Sequence, residues 1–347
     1  MIVLCAGGTG GHVFPAEGLA ASLKKRGYKL ALITDKRAMN FVNYEFFDAI
    51  QIVHVRRTNI LVYMLTMIEC ILRSAWFLYR KKAKIVVGFG GYPSVPGMIA
   101  AKLLFKRTLI HEQNSVLGRA NRFLKNFSKG LAISFCDTKY APNSAVWIGN
   151  PVRESVQIAM QASPIKNSEQ FNLCVVGGSQ GAKLFSEIVP KAIELLPKEY
   201  HSKLFITQQC RMEQLNQVDE IYKKLNIRAS LESFFSDMPE KLIQSDLVIC
   251  RSGASTIAEI TCLGIPAILV PLAISKDNDQ GENAAAVVKA GGAWVLKEKE
   301  FTPQKLADLL KTVIENREIL NTMSKSIKSI AKPNAAEDLA NWLETFL

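Results

Sequence analysis

The chain opens Ile2-Val3-Leu4-Cys5-Ala6-Gly7-Gly8-Thr9-Gly10-Gly11-His12, an apolar run that ends in a glycine-rich turn. An uncharged run of this length, closed by glycines, reads as a strand buried on both faces. An amphipathic stretch from about Pro15 to Arg26 and a second strand at Lys29–Thr34 follow. Strand, glycine turn, helix, strand is the βαβ unit of an open parallel sheet. Apolar runs at Ile85–Gly88, Thr108–Ile110 and Gly130–Ile133 continue the alternation, and the chain turns polar through Gln161–Gln170. At Leu173–Val176 the pattern restarts, with a strand running into Gly177-Gly178-Ser179-Gln180-Gly181-Ala182 and further strands at Lys203–Thr207, Leu247–Cys250 and Ala267–Val270. Two α/β domains of the nucleotide-binding kind, linked near residues 150–170, are the expectation.

Length and charge agree with two domains and narrow the partner. The 347 residues exceed the roughly 250–300 that one hydrophobic core sustains. A net charge of +12 predicts an anionic partner: nucleic acid, a phosphorylated ligand or a membrane surface. The excess is not spread evenly. Through Arg153 there are 22 Lys/Arg against 7 Asp/Glu, a balance of +15, and the remainder balances at −3. No zinc-finger or RNA-recognition signature accompanies these cations, so nucleic acid drops out in favour of phosphate or membrane. Seven cysteines without a Cys-x-x-Cys pair read as reduced core residues of a cytosolic protein, and no secretory leader precedes the first strand.

Ile60–Tyr79 is almost wholly apolar and flanked by Arg56-Arg57 and Arg80-Lys81-Lys82. Its length suits a bilayer, but Glu69 and Arg73 would each cost about 2.5–3.5 kcal/mol at bilayer depth. Thr66, Glu69, Arg73 and Arg80 fall on one polar stripe, while Leu61, Met64, Leu65, Ile68, Leu72, Trp76 and Phe77 occupy the other faces. The expectation is a helix partly in the core and partly in the membrane interface.

Several loops carry chemistry. The backbone amides of Gly7–Gly11 could face a diphosphate at a helix start. The dinucleotide spacing is broken by Val13, although Asp35 stands where a ribose-binding acid would in a nicotinamide enzyme. His12 reads as a general base or as a helix-capping residue. The loop 88–97, with Gly90, Gly91 and Tyr92, serves turn-making or ligand binding equally well. His111-Glu112-Gln113-Asn114 closes a strand with four polar side chains. Arg251-Ser252-Gly253-Ala254-Ser255-Thr256 is a small-residue helix start, and Glu259 beyond it reads either as an acceptor for a ribose cis-diol or as a solvent-facing acid. The loop 275–283, with Gln280, suits sugar hydroxyls or a plain polar turn.

Six segments in order, GGTGGHVFPA at 7–16, GFGGYPSVPG at 88–97, HEQN at 111–114, GNPVR at 149–153, GGSQGA at 177–182 and RSGAST-x-AE at 251–259, closely resemble the MurG family. These bacterial transferases add N-acetylglucosamine to the lipid-linked muramoyl-peptide precursor of peptidoglycan. The resemblance implies a B-type glycosyltransferase fold, two Rossmann-like domains facing across a cleft. Residues 1–153 with 333–347 would bind acceptor and membrane, and 154–332 would bind the UDP-sugar donor. It implies that the main chain of Phe235 meets uracil, Glu259 holds the ribose, and Ser179 with Ala254, Ser255, Thr256, Ile257 and Ala258 holds the diphosphate. Thr9, Gly10, Gly11, Asn114, Arg153 and Gln280 would complete the donor site, Gly90, Gly91 and Tyr92 would face the acceptor, and His12 would be the base. It implies no cofactor or metal, since backbone amides and a helix N-terminus would meet the charge on the leaving diphosphate, and the four histidines, far apart in sequence, agree. The implied partners are UDP-N-acetylglucosamine, the lipid-linked muramoyl-pentapeptide and an anionic membrane at the cytoplasmic face of the inner membrane, with other cell-wall synthesis proteins as further candidates. The family often has Asp-Asn-His-Gln where this chain has Asp277-Asn278-Asp279-Gln280. The rival readings are another UDP-sugar-dependent transferase, a dehydrogenase, and a nucleotide-binding membrane adaptor without turnover.

Overall fold

The computed structural model describes residues 1–56, 58–162, 169–177, 183–274 and 277–347. The chain forms two compact units, Met1–Glu154 with Lys332–Leu347, and Ser155–Ala331. The first unit holds 23 Lys/Arg against 11 Asp/Glu, while the second is balanced at 20 each, so the first carries the whole net charge.

The first unit is built on a seven-stranded sheet in the order β3 (Ala49–Val53), β2 (Leu30–Asp35), β1 (Ile2–Cys5), β4 (Ile85–Gly88), β5 (Arg107–Glu112), β6 (Gly130–Ile133), β7 (Val146–Trp147). Every pairing is parallel. The second unit repeats the order with β10 (Arg228–Glu232), β9 (Leu204–Gln209), β8 (Phe171–Val176), β11 (Leu247–Cys250), β12 (Ala267–Leu269) and β13 (Ala293–Val295), again all parallel. In both sheets the strand order reverses beside the first strand, between β1 and β4 and between β8 and β11. A parallel sheet opens its ligand crevice outside the carboxyl ends of such neighbouring strands. The glycine segments after β1 and β4 lie at one reversal. Residue 177 and the helix after β11 lie at the other.

The first helix spans Gly10–Lys25, so the glycines form its opening turn and the helix does not begin near Pro15. Proline inside a helix crowds the carbonyl four residues earlier, and here that residue is Gly11, which has no side chain of its own to add to the crowding. Ile60–Arg80 is helical throughout, with Asn59 Oδ1 accepting the Val62 N–H as its cap. Cys70, Phe77 and Leu78 enter the core against the sheet, backed by Tyr63, Met67, Ile71 and Ala75. Of the seven apolar residues expected to share core and interface, only Phe77 is buried; the rest, with Ile60 and Tyr79, are 51–73% exposed. Glu69 and Arg73 pair at 2.8 Å beside this apolar row. Six of the seven cysteines are buried and none is in a disulfide, but Cys136 is exposed and is not a core residue.

The C-terminal helix, Ala335–Glu344, returns to the first unit and buries Leu339, Ala340 and Leu343 in the core of its sheet. Each buried leucine contributes about 1.5–3 kcal/mol. The partly exposed pairs of Arg26 with Glu337 at 2.6 Å and Glu344 at 2.8 Å add about 1 kcal/mol or less apiece, so burial dominates the attachment. Gly130 permits the close approach: a Cβ there would lie 2.7 Å from the Trp342 ring.

Candidate functional site

In the first unit the carboxyl ends of β1, β4 and β5 gather His12, the 90–92 loop and the 111–114 run. Asp35, at the end of β2, is 2% exposed and has both carboxylate oxygens engaged. Oδ1 accepts the Gly8 N–H at 2.7 Å, and Oδ2 accepts Arg37 Nε at 2.9 Å and the Tyr92 hydroxyl at 2.8 Å. Burial works to raise its pKa, but the bonds from Gly8, Tyr92 and Arg37 together hold it below the usual aspartate value. The carboxylate therefore ties the first glycine turn to the 90–92 loop, and the ribose-binding position inferred from sequence is not open for that role. Gly7 has to be glycine for the same approach, since a Cβ would lie 2.8 Å from Asp35 Oδ1.

His12 sits in the first turn of the Gly10–Lys25 helix, which no side chain caps. Its Nδ1 lies 2.9 Å from Gln113 Oε1. Gly90 and Gly91, at φ +85° and +72°, cross the other edge of the ring; a Cβ on Gly91 would stand 3.3 Å from Nε2. Glu112, 2% exposed, organises the loop after β5. Its Oε1 accepts the Asn114 N–H at 3.1 Å and Asn114 Nδ2 at 3.2 Å, and its Oε2 accepts Gly118 N–H and Asn121 Nδ2, both at 2.9 Å. The Asn114 amide is thus aimed by a buried acid. The Arg153 guanidinium stacks 4.7 Å from the Phe14 ring centroid. His111 is fully buried, and that burial pushes its pKa down to about 4 against the opposing hydrogen bond to Gly149.

In the second unit the helix Ala254–Leu263 follows β11, with Gly253 as an N-cap that offers no side-chain bond. The Ile257 N–H is bonded to Gly253 O at 2.9 Å, and that of Ala258 is one turn inside the helix. The donors left facing outward at this helix start are the amides of Ala254, Ser255 and Thr256. Ser255 Oγ is shut off from solvent and has no hydrogen-bond partner among the described residues. Glu259 is buried on the same helix. Ser252 Oγ donates to Gln280 O at 2.8 Å, Asn283 Nδ2 donates to Ser252 O at 3.1 Å, and Gln280 Oε1 accepts the Leu272 N–H at 3.0 Å. The polar loop is therefore fastened to the helix start. Asp279 begins the helix Asp279–Lys289, where a carboxylate favours the positive helix end. Phe235, on the connection from β10 to the helix Met238–Ile243, is buried. Ser179 lies outside the described residues. Sequence reading missed Glu112, Gln113, Ser252 and Asn283 as organisers. The run of polar residues at 111–114 was the available signal for the first two.

The chain matches the glycosyltransferase family 28 N-terminal domain over residues 2–133 and the family 28 C-terminal domain over residues 172–339. It is 42% identical over 363 residues to the UDP-N-acetylglucosamine--N-acetylmuramyl-(pentapeptide) pyrophosphoryl-undecaprenol N-acetylglucosamine transferase of Brucella suis biovar 1 (strain 1330), covering 100% of this chain and 94% of that protein. The crystal structure of Acinetobacter baumannii MurG superposes with a TM-score of 0.84 at 30% identity, covering 99% of each chain. A UDP-GlcNAc 2-epimerase from Neisseria meningitidis, solved bound to UDP-GlcNAc, reaches a TM-score of 0.71 at 15% identity over 99% of this chain and 100% of its own, a likeness of fold alone. Two Rossmann-ordered sheets of the B-type glycosyltransferase class and the near-complete match to curated relatives agree, and the chain belongs to the MurG group of glycosyltransferase family 28.

Proposed function

We propose that this chain transfers N-acetylglucosamine from UDP-N-acetylglucosamine to the C4 hydroxyl of undecaprenyl-pyrophosphoryl-N-acetylmuramoyl-pentapeptide, with inversion, at the cytoplasmic face of the inner membrane. The carrying observation is the uncapped helix start at Ala254–Thr256, with Glu259 buried on the same helix and Gln280 fastened beside it. Those amides suit a diphosphate, the carboxylate suits a ribose cis-diol, and the Gln280 NH2 suits a sugar hydroxyl. The proposal keeps the uracil at the Phe235 main chain and assigns the other donor contacts to Thr9, Gly10, Gly11, Asn114 and Arg153. Gly90, Gly91 and Tyr92 face the acceptor.

In the reaction the acceptor oxygen attacks the anomeric carbon as the bond to the diphosphate breaks. Its proton passes to His12, and UDP departs with the electron pair. Helix-end amides meet the charge growing on the leaving group, so the proposal contains no metal. The transfer is a single displacement, and the α-linked donor gives a β product.

The exposed row of the Ile60–Arg80 helix supports a peripheral membrane role. Among the described residues this is one helix long and apolar enough to cross a bilayer, but its other face is committed to the sheet's core. It therefore lies on the surface in this reading, beside Arg56, Arg80, Lys81 and Lys82. Labelled UDP-N-acetylglucosamine with and without the lipid-linked acceptor tests the function. Label should enter the lipid only when acceptor is present. Label that stays in the nucleotide, or a donor epimerised at C2, would overturn it.

A further inference from the structure

Behind His12 runs a chain of hydrogen bonds whose direction is fixed by two backbone carbonyls, Gly149 O and His111 O. His111 Nε2 lies 2.9 Å from Gly149 O. A carbonyl only accepts, so Nε2 carries a proton. Burial of this ring disfavours a second proton, which leaves the His111 Nδ1 as a lone pair. Gln113 Nε2 stands 3.0 Å from that nitrogen and donates to His111 O at 3.1 Å. Both partners accept, so the amide NH2 of Gln113 must face them. Its Oε1 therefore points at His12 Nδ1, 2.9 Å away, and can only accept there. Gln113 and His111 are 1% and 0% exposed, so water does not compete for these bonds.

We propose that Gln113 and His111 are positioning residues that hold neutral His12 with its proton on Nδ1 and its lone pair on Nε2. This rests on His12 being the base. Nε2 is the edge that faces Gly91, where the absence of a Cβ leaves room beside the lone pair. When the acceptor hydroxyl is deprotonated, its proton goes to Nε2, and the imidazolium that forms keeps its Nδ1–H on Gln113 Oε1. The arrangement follows the rule that the partner of one ring nitrogen decides what the other can do. An unassisted neutral imidazole in water favours the opposite form, with the proton on Nε2, so the relay selects the minority form that can act as base.

Long-range 1H–15N correlation on the full-length, histidine-labelled chain reads the tautomer directly, and only four histidines need assigning. In the wild type, neutral His12 should show an unprotonated Nε2. Gln113→Met, which keeps volume but offers no acceptor of this kind, should move His12 toward the Nε2–H form. It should also lower kcat roughly 10- to 100-fold, less than the loss of the base itself because His12 is still present, while KM for UDP-N-acetylglucosamine stays within about two-fold. His111→Phe keeps a ring against Phe89, 5.5 Å away, and should give a smaller shift in the same direction, because Gln113 retains its bond to the His111 carbonyl. A wild-type His12 protonated on Nε2 overturns the proposal. So does a folded Gln113→Met whose tautomer is unchanged, even with reduced kcat, since that would be a packing effect. If neither variant folds, the wild-type spectrum still decides. Undiminished transfer by His12→Asn would instead remove the base assignment and leave the wild-type spectrum untouched, so the two failures are distinguishable.

Discussion

In the proposed reaction His12 and Glu259 serve different halves, and they should fail differently. His12→Ala removes the group that takes the acceptor proton and should lower kcat by about 10²–10⁴ with UDP affinity unchanged. Full turnover by that variant would exclude His12 as the base. Glu259→Ala removes an acceptor for two ribose hydroxyls. Hydrogen bonds to a charged group are worth about 1.5–3 kcal/mol, so donor affinity should fall at least about ten-fold. Unchanged donor binding would show that Glu259 does not hold the ribose. Asp35 acts on stability instead. Its folded pKa is depressed, so its contribution is complete above the ordinary aspartate value near 3.9 and is lost as pH falls through the lower folded value. Urea midpoints should therefore drop below about pH 4 in the wild type, and Asp35→Asn should start lower and lose less there. Equal pH dependence of the two proteins would contradict this. By sequence position Asp35 stands where a ribose-binding acid would in a nicotinamide enzyme. Only the geometry shows its oxygens filled by Gly8, Arg37 and Tyr92.

The Ile60–Arg80 helix makes a prediction of its own kind. Its exposed apolar side chains are each worth about 1.5–3 kcal/mol if fully buried, against about 1 kcal/mol for each Lys or Arg near an anionic surface. The apolar row should therefore dominate binding. Leu65→Glu with Leu72→Glu should weaken binding to anionic vesicles more than ten-fold while leaving the melting temperature nearly unchanged, because both residues are exposed. Vesicle binding indifferent to both changes would remove the helix from the membrane contact. Elements differed in how legible they were from sequence. The runs read as strands form the interiors of both sheets, where burial on two faces leaves an uninterrupted apolar signal. The four strands that were not read, β3, β7, β10 and β13, are the four sheet edges: polar residues such as Gln51 and Ser230 interrupt β3 and β10, and β7 and β13 are only two and three residues long. The early start of the first helix was hidden for another reason: glycines favour turns by propensity, and only tertiary packing makes Gly10 and Gly11 helical.

At the scale of the whole molecule, the charge divides with the units, +12 on the first and zero on the second. On the proposed assignment, an anionic donor on an uncharged unit would be held by oriented amides and a helix end, and the cations of the first unit would serve an anionic surface. Raising the salt should weaken vesicle binding without abolishing it, since the apolar row is not screened. Complete loss in salt would make the contact purely electrostatic. If helix amides carry the leaving-group charge as proposed, transfer should also persist after chelation with EDTA; activity restored only by a divalent ion would contradict that. The measurement closest to the central claim is the structure of the product. The disaccharide released from the lipid after reaction with UDP-N-acetylglucosamine should show, by NMR, a β bond from the anomeric carbon to the C4 oxygen of the muramoyl sugar. An α bond, another position of attachment, or no disaccharide from the folded protein would contradict the account.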